Sequence, residues 1–210
     1  FHIIVNAQNY LMENKHVALL IFDLIKAFDC TDHNILLEKM VNIGFGKTDV
    51  QFFFSYLHNR SAVTKVGNSI SSPCTILSGI PQGSIIGSLL FNIYLADMQP
   101  TSLYDLAKFA DDSTSTVVAD SKEELETKCN NTLKSINEYF TNNKMYINFS
   151  KTYYLSFNNH DLNIKYNNKS IARTHCTKIL GYYMIDKFDL QPHLKYVVSK
   201  LNKAIHILKG

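Results

Sequence analysis

The sequence predicts an α+β fold, a mostly antiparallel sheet backed by helices, and three observations carry that expectation. An apolar run, Val17 to Phe22, suits a buried strand and falls far short of the roughly 18 consecutive apolar residues of a membrane span. A second strand-like stretch, 103–118, is broken in its middle by Asp111-Asp112. Beyond it, Leu125, Cys129, Leu133, Ile136 and Phe140 recur on one face of a long helical pattern. Strand, helices, hairpin, crossover helix and further strands follow one another in the α+β manner.

Taken in order, residues 2–14 read as a helix ending at the polar Glu13-Asn14-Lys15 break, followed by a strand over 17–23. Ile35, Leu36, Met40 and Ile43 have helical spacing, and Gly44 is a natural stop. Thr48 or Asp49 can cap a second helix through Phe53 and Leu57. Residues 62–77 alternate around a Gly67-Asn68 turn, and Gly87 to Asp97 predicts a largely buried helix. Ser121 with Glu124 forms a capping box for the long amphipathic helix. Short strands are expected near 145–149, 152–157, 162–166 and 177–185. A last helix carries Leu194, Val197, Val198, Leu201, Ile205 and Leu208 as one stripe, with Lys195, Lys200, Lys203 and Lys209 on the remaining surface. One face of the sheet is expected to lie open, wide enough for a nucleic-acid duplex.

The chain of 210 residues is 46% apolar, with 13 Phe and 12 Tyr, enough for the core of one domain with subdomains. A net charge of +3 is too small to mark a nucleic-acid binder by bulk charge, so any basic surface must be local. Cys30, Cys74, Cys129 and Cys176 lack paired metal-ligand spacing and read as buried, reduced thiols; the eight histidines are equally scattered. The chain opens on Phe1 and closes on Lys209-Gly210 directly after a helical repeat. Both ends look cut from a longer protein, which leaves any targeting signal illegible.

The chemistry concentrates in carboxylates. Asp23 ends the apolar run, where an acid is costly unless paired, and a divalent cation would pair it. It can equally cap the following turn. Asp111 and Asp112 sit where Asp is an ordinary turn residue. Carboxylates at neighbouring strand ends can also hold two hard cations about 4 Å apart for in-line nucleotidyl transfer. Between the two acidic segments lies Ser78-Gly79-Ile80-Pro81-Gln82-Gly83-Ser84, a glycine-rich loop leading into a helix.

Six segments in order resemble the reverse transcriptases of non-LTR (LINE-type, jockey-like) retrotransposons. They are DLIKAFDCTDHNILLEKM (23–40), SYLHNR (55–60), SGIPQGSIIGSLLFNIYLADM (78–98), FADD (109–112), NKMYINFSKT (143–152) and KILGYYM (178–184). The resemblance covers nearly the whole chain. It implies a right-hand polymerase palm with part of the fingers (an insertion at about 33–80) over residues 1–188, and the start of a thumb helix over 189–210. The implied activity is RNA-directed DNA polymerisation, with an RNA template, a DNA primer, dNTPs and two Mg²⁺ ions, Mn²⁺ being able to substitute. An intracellular setting, nuclear or cytoplasmic, follows from the family alone; no membrane role is implied.

Residue by residue, the resemblance makes Asp23 and Asp111 the ligands of both metals, and the Leu24 carbonyl a further ligand on the nucleotide side. Asp112 matches a supporting acid. Phe28 matches a steric gate against the 2′-hydroxyl, although an aromatic ring here also reads as core. Gln82 and Gly83 match the loop that meets the incoming nucleotide and template. Lys151 aligns with a general acid for leaving pyrophosphate, and by itself reads as a solvated lysine. Leu180, Gly181 and Tyr182 match the primer grip.

The chain departs from the family pattern at Ser88, where Pro is frequent, and at Ile25 and Cys30-Thr31, where Ser and Thr-Val are usual. The basic upstream fingers segment is not present. The alternative is a catalytically inactive fragment, or a domesticated palm that binds nucleic acid or a partner protein. A nucleotide-cyclase-like palm gives no role to the Pro-Gln-Gly loop or the Leu-Gly hairpin. Group II intron maturases and retroviral enzymes are nearer neighbours, and the wording at 25–29 and 109–112 favours the retrotransposon branch.

Overall fold

The computed structural model describes residues 2–81, 83–100, 105–109, 112–179, 182–187 and 191–209. In chain order the first elements are α1 (His2–Met12), β1 (His16–Phe22), α2 (His33–Asn42), α3 (Lys47–Leu57), β2 (Arg60–Ala62), β3 (Lys65–Val66), β4 (Ser69–Ile70), β5 (Cys74–Ile76) and α4 (Gly87–Tyr94). Then come β6 (Asp105–Phe109), β7 (Asp112–Ala119), α5 (Lys122–Asn142), β8 (Tyr153–Ser156), β9 (Lys165–Tyr166) and β10 (Lys169–Ser170). The last are β11 (Ala172–Arg173), β12 (Cys176–Ile179), β13 (Tyr182–Ile185) and α6 (Gln191–Lys209). They fall into two compact units: Phe1–Asp23 with Pro100–Ser135 and Asn148–Gly210, and Leu24–Gln99 with Ile136–Ile147.

The first unit holds a five-stranded sheet in the order β11-β8-β1-β7-β6, antiparallel throughout except where β11 runs parallel to β8. β1 is paired along its whole length with β7, from His16 opposite Ala119 to Phe22 opposite Ser113. One face of β1 (Val17, Leu19, Ile21) packs with Ala7 of α1 and with Leu155, Phe157 and Met184. Its other face, Ala18, Leu20 and Phe22, is equally buried. The open face expected of the sheet is therefore not found along β1; a continuous apolar run belongs to a strand covered on both sides.

α5 bears out its periodicity, with Leu125, Cys129, Leu133, Ile136 and Phe140 fully buried. Its cap differs in detail. Ser121 Oγ accepts the Glu124 N–H at 3.2 Å, but the Glu124 carboxylate reaches back to the Asp120 N–H at 2.8 Å. α6 contrasts with it: Leu194, Val198, Leu201 and Ile205 are all exposed among the described residues.

In the second unit α2 is capped by Asp32, whose carboxylate accepts the Asn34 and Ile35 N–H groups at 3.0 Å each and an ammonium hydrogen bond from Lys144 at 2.6 Å. Burial pushes the Asp32 carboxyl up, but these partners outweigh it and hold it below the usual range. α3 begins before Thr48, with Gly46 as its cap and the Asp49 carboxylate accepting the Gly46 N–H at 3.2 Å. The segment 62–77 forms two small ladders, β2 with β5 and β3 with β4. The helix expected to reach Asp97 stops at Tyr94, because Ala96 and Met98 close tighter three-residue turns. Asp97 is instead drawn into a side-chain knot. Lys39 Nζ donates to the Tyr94 carbonyl at 2.6 Å and to Asp97 Oδ1 at 2.7 Å, and Tyr139 Oη donates to Asp97 Oδ1 at 2.6 Å.

The strand expected over 145–149 reduces to one bridge between Leu24 and Ile147. Of the cysteines only Cys129 is buried; Cys30 is half-buried, Cys74 and Cys176 exposed.

Candidate functional site

Asp23 follows directly on the buried end of β1, where Phe22 is 1% exposed, and is itself half-buried. Its main chain is fixed on both sides by the segment 148–152. The Asn148 N–H donates to the Asp23 carbonyl at 2.8 Å, and the Asp23 N–H donates to Thr152 Oγ1 at 3.4 Å. Among the described residues its carboxylate accepts one hydrogen bond, from Asn148 Nδ2 to Oδ2 at 3.0 Å. Among the described residues no cationic side chain is paired with it.

Register brings the second acidic segment to the same end of the sheet. Phe22 lies opposite Ser113, and Phe109 opposite Asp112, so Asp23 and the start of β7 terminate side by side. Asp112 opens β7 by its backbone. Asp111 lies outside the described residues, as does Gln82, and so do Leu180 and Gly181 of the expected primer grip. Among the described residues no cluster of three or more His, Cys, Asp or Glu side chains gathers as a metal site. The one candidate ligand side chain described, the Asp23 carboxylate, is an oxygen donor of the kind hard cations such as Mg²⁺ select, with one oxygen held and the other facing no described cation. The chemistry of the donor set fits such an ion.

The second unit carries Leu24, Phe28 and the glycine-rich loop. Leu24 is buried, and the bridge beside it is closed by Ile25 N–H donating to the Tyr146 carbonyl, so the Leu24 carbonyl takes no part in that bond. Phe28 is half-buried, its ring stacked on Phe91 with centroids 4.6 Å apart. The loop from Ser78 is tied to the segment after Phe28. Gly79 N–H donates to the Thr31 carbonyl at 2.8 Å and Ile80 N–H to the Phe28 carbonyl at 2.9 Å, while Ser78 Oγ donates to the Asp29 carbonyl at 3.1 Å. Gly79 is required here: its φ is +94°, and a Cβ would meet the Asp29 carbonyl oxygen at 2.9 Å. His33 adds a ring-nitrogen contact to the Gly79 carbonyl at 2.8 Å. Gly83, with φ +77°, is exposed. A cleft of about 210 Å³ lies against Asp29, Arg60, Ser78, Gly79 and Pro81.

Lys151 is exposed in the turn between Asn148 and Thr152, its N–H donating to the Asn148 carbonyl at 3.0 Å. Tyr182 opens β13, is 43% exposed, and stacks on His193 of α6 at 4.5 Å. A broad concavity of about 1000 Å³ lies along α6 and is an open helix face rather than a closed site.

The structure thus assembles Asp23 with the backbone of the β6–β7 hairpin, and Phe28 with the base of the glycine-rich loop. Sequence reasoning missed Asn148, Thr152, His33 and Gly79 as the residues that hold these segments. Asn148 and Thr152 stood in plain view in Asn148-Phe149-Ser150-Lys151-Thr152, but nothing local pointed to Asp23 as their partner.

Comparison with known proteins agrees with the motifs. The family model described as reverse transcriptase (RNA-dependent DNA polymerase) matches residues 3–184. Among curated relatives, the probable RNA-directed DNA polymerase from transposon BS of Drosophila melanogaster is 27% identical over 134 residues, 61% of this chain and 14% of that protein. The probable RNA-directed DNA polymerase from transposon X-element of the same organism is 37% identical over 98 residues, 44% of this chain and 11% of that protein. The RNA-directed DNA polymerase from mobile element jockey, also from D. melanogaster, is 33% identical over 121 residues, 53% and 13%. The matches therefore span about an eighth of each relative. Among solved structures, telomerase from Candida tropicalis, in complex with a fragment of telomeric RNA, aligns over 89% of this chain and 32% of its own with a TM-score of 0.61. At 13% identity that likeness shows the fold alone.

Proposed function

The chain belongs to the reverse transcriptase (RNA-dependent DNA polymerase) family, and from that premise we propose that it is the palm of an enzyme that copies an RNA template into DNA by two-metal nucleotidyl transfer. The observation that carries the reading is Asp23, presented at the end of a buried strand beside the hairpin that bears Asp111 and Asp112 in sequence. We assign residues 1–188 to palm with partial fingers and α6 to the start of the thumb. Template RNA, primer and dNTPs are the partners this reading requires, and the relatives' transposons point to a mobile element as its origin.

In this reading Asp23 and Asp111 hold two divalent cations, Mg²⁺ or Mn²⁺, with the Leu24 carbonyl as a further ligand and Asp112 in support. Such ions, when bound, acidify the primer 3′-hydroxyl and neutralise the leaving pyrophosphate. The remaining roles belong to the chain itself. Gln82 and Gly83 approach the nucleotide and template through backbone unobstructed by a Cβ at 83. Lys151, exposed on its turn, supplies a proton to pyrophosphate. Tyr182, with Leu180 and Gly181, positions the primer end. Phe28 selects deoxynucleotides by bulk, its ring braced on Phe91. Phe28→Val is expected to raise ribonucleotide incorporation relative to deoxynucleotide; an unchanged ratio would remove the gate.

The test of the whole reading is Mg²⁺- and Mn²⁺-dependent dTTP incorporation on poly(rA)/oligo(dT), compared with Asp111→Ala. Extension that disappears in the variant supports the polymerase. Absence of extension with retained duplex binding, both in this chain and in one extended through the fingers, would favour a repurposed or decayed palm.

A further inference from the structure

Asp23 is a candidate metal ligand whose carboxylate is held by a partner 125 positions away. We infer that Asn148 is the positioning residue of the metal site, locking the Asp23 side chain with Oδ2 occupied and Oδ1 presented. The inference rests on the reading of Asp23 as a metal ligand and deepens it.

Four contacts fix the arrangement. Asn148 Nδ2 donates to Asp23 Oδ2 at 3.0 Å, and the Asn148 N–H donates to the Asp23 carbonyl at 2.8 Å. Thr152 Oγ1 accepts the Asp23 N–H at 3.4 Å and donates to the Asn148 carbonyl at 3.0 Å. Both residues are thereby held by the same short turn, backbone and side chain together. The amide is also oriented: Ser150 Oγ donates to Asn148 Oδ1 at 2.7 Å, so the oxygen end is engaged and the NH₂ end faces the carboxylate.

An amide suits this position for an electrostatic reason. A lysine or arginine would hold the carboxylate as firmly but would cancel the charge a cation needs. A neutral donor leaves the negative charge intact while removing rotational freedom. Aspartate at 148 could not donate at all. Partners that orient a ligating side chain typically change metal affinity about 10- to 100-fold when removed.

The experiment is a Mn²⁺ titration of the chain followed by electron paramagnetic resonance of the free ion, on wild type, Asn148→Ala, Ser150→Ala and Asp23→Ala. Thermal unfolding of each is recorded alongside. Asn148→Ala is expected to weaken Mn²⁺ about 10-fold. Ser150→Ala, which removes one exposed hydroxyl and only loosens the amide's orientation, is expected to shift affinity in the same direction by a smaller factor with the melting temperature unchanged. Should Asn148→Ala fail to fold, Ser150→Ala decides. If Asp23→Ala binds Mn²⁺ as wild type does, the reading of Asp23 fails and the inference with it. If Asp23→Ala loses the ion while Asn148→Ala and Ser150→Ala keep wild-type affinity, the metal reading stands and the positioning role is overturned. A lower melting temperature with intact Mn²⁺ affinity would likewise reduce Asn148 to a structural residue.

Discussion

Asp23 in one unit and Asp97 in the other are both held aspartates, and they are held in opposite ways. Asp97 takes an ammonium hydrogen bond from Lys39 and a hydroxyl hydrogen bond from Tyr139 on the same oxygen. Burial raises the Asp97 carboxyl, but those donors outweigh it and draw it below the usual range. Burial also pulls Lys39 below its ordinary value, against the stabilising effect of Asp97. The short bonds to the Asp97 oxygen favour its ionised form directly. Nearby, burial pushes the Tyr94 hydroxyl up to about 12, and its proton goes to the Asn143 carbonyl at 2.7 Å. Asp23, by contrast, receives one neutral amide and, among the described residues, no cationic partner. A compensated acid needs no further partner, whereas the proposed role of Asp23 requires an acid that is oriented and uncompensated.

That contrast can be broken at several points. The largest expected effect is on turnover: Asp23→Asn keeps the size and the backbone contacts of the site but is expected to lower primer extension by about 10³-fold, several kcal/mol of lost metal-assisted stabilisation, with little change in melting temperature. Comparable losses of both would make Asp23 a structural acid like Asp97. Asp97→Asn should do the reverse, costing about 1–2 kcal/mol by denaturant unfolding while incorporation per folded molecule is kept; the figure is modest because the Asp97 side chain is 55% exposed.

Smaller again is Asp32→Ala, about 1 kcal/mol through loss of the α2 cap. Its pH dependence has a definite sign. The folded carboxyl lies below its unfolded value, so its contribution is complete above about pH 4 and fades as acid protonates it. Wild type and Asp32→Ala should therefore converge in stability at low pH, and a gap that widens there would contradict the assignment.

What was legible in the sequence follows the range of the interactions. β1 and α5 were readable because a continuous apolar run and a one-sided stripe are local signals, and both are buried as expected. The α6 stripe is as regular, yet Leu194, Val198 and Leu201 are exposed: periodicity says which side is apolar, not what covers it. β9, β10 and β11 are two residues each, too short to leave a pattern, and the expected strand at 145–149 dissolved because Ile147 needs only one bridge to Leu24. The carboxylates themselves stood out by their place beside apolar runs. Their supports did not, since Asn148 and Asp23, or Lys39 and Asp97, are paired only by the fold.

The most direct measurement is the rise in melting temperature that saturating Mn²⁺ gives to wild type, Asp97→Asn and Asp23→Asn. A ligand at about 100 times its dissociation constant adds about 2.7 kcal/mol, a shift of several degrees for a chain of this size. That rise is expected in wild type and Asp97→Asn, and its loss in Asp23→Asn. Equal rises in all three would contradict the role proposed for Asp23.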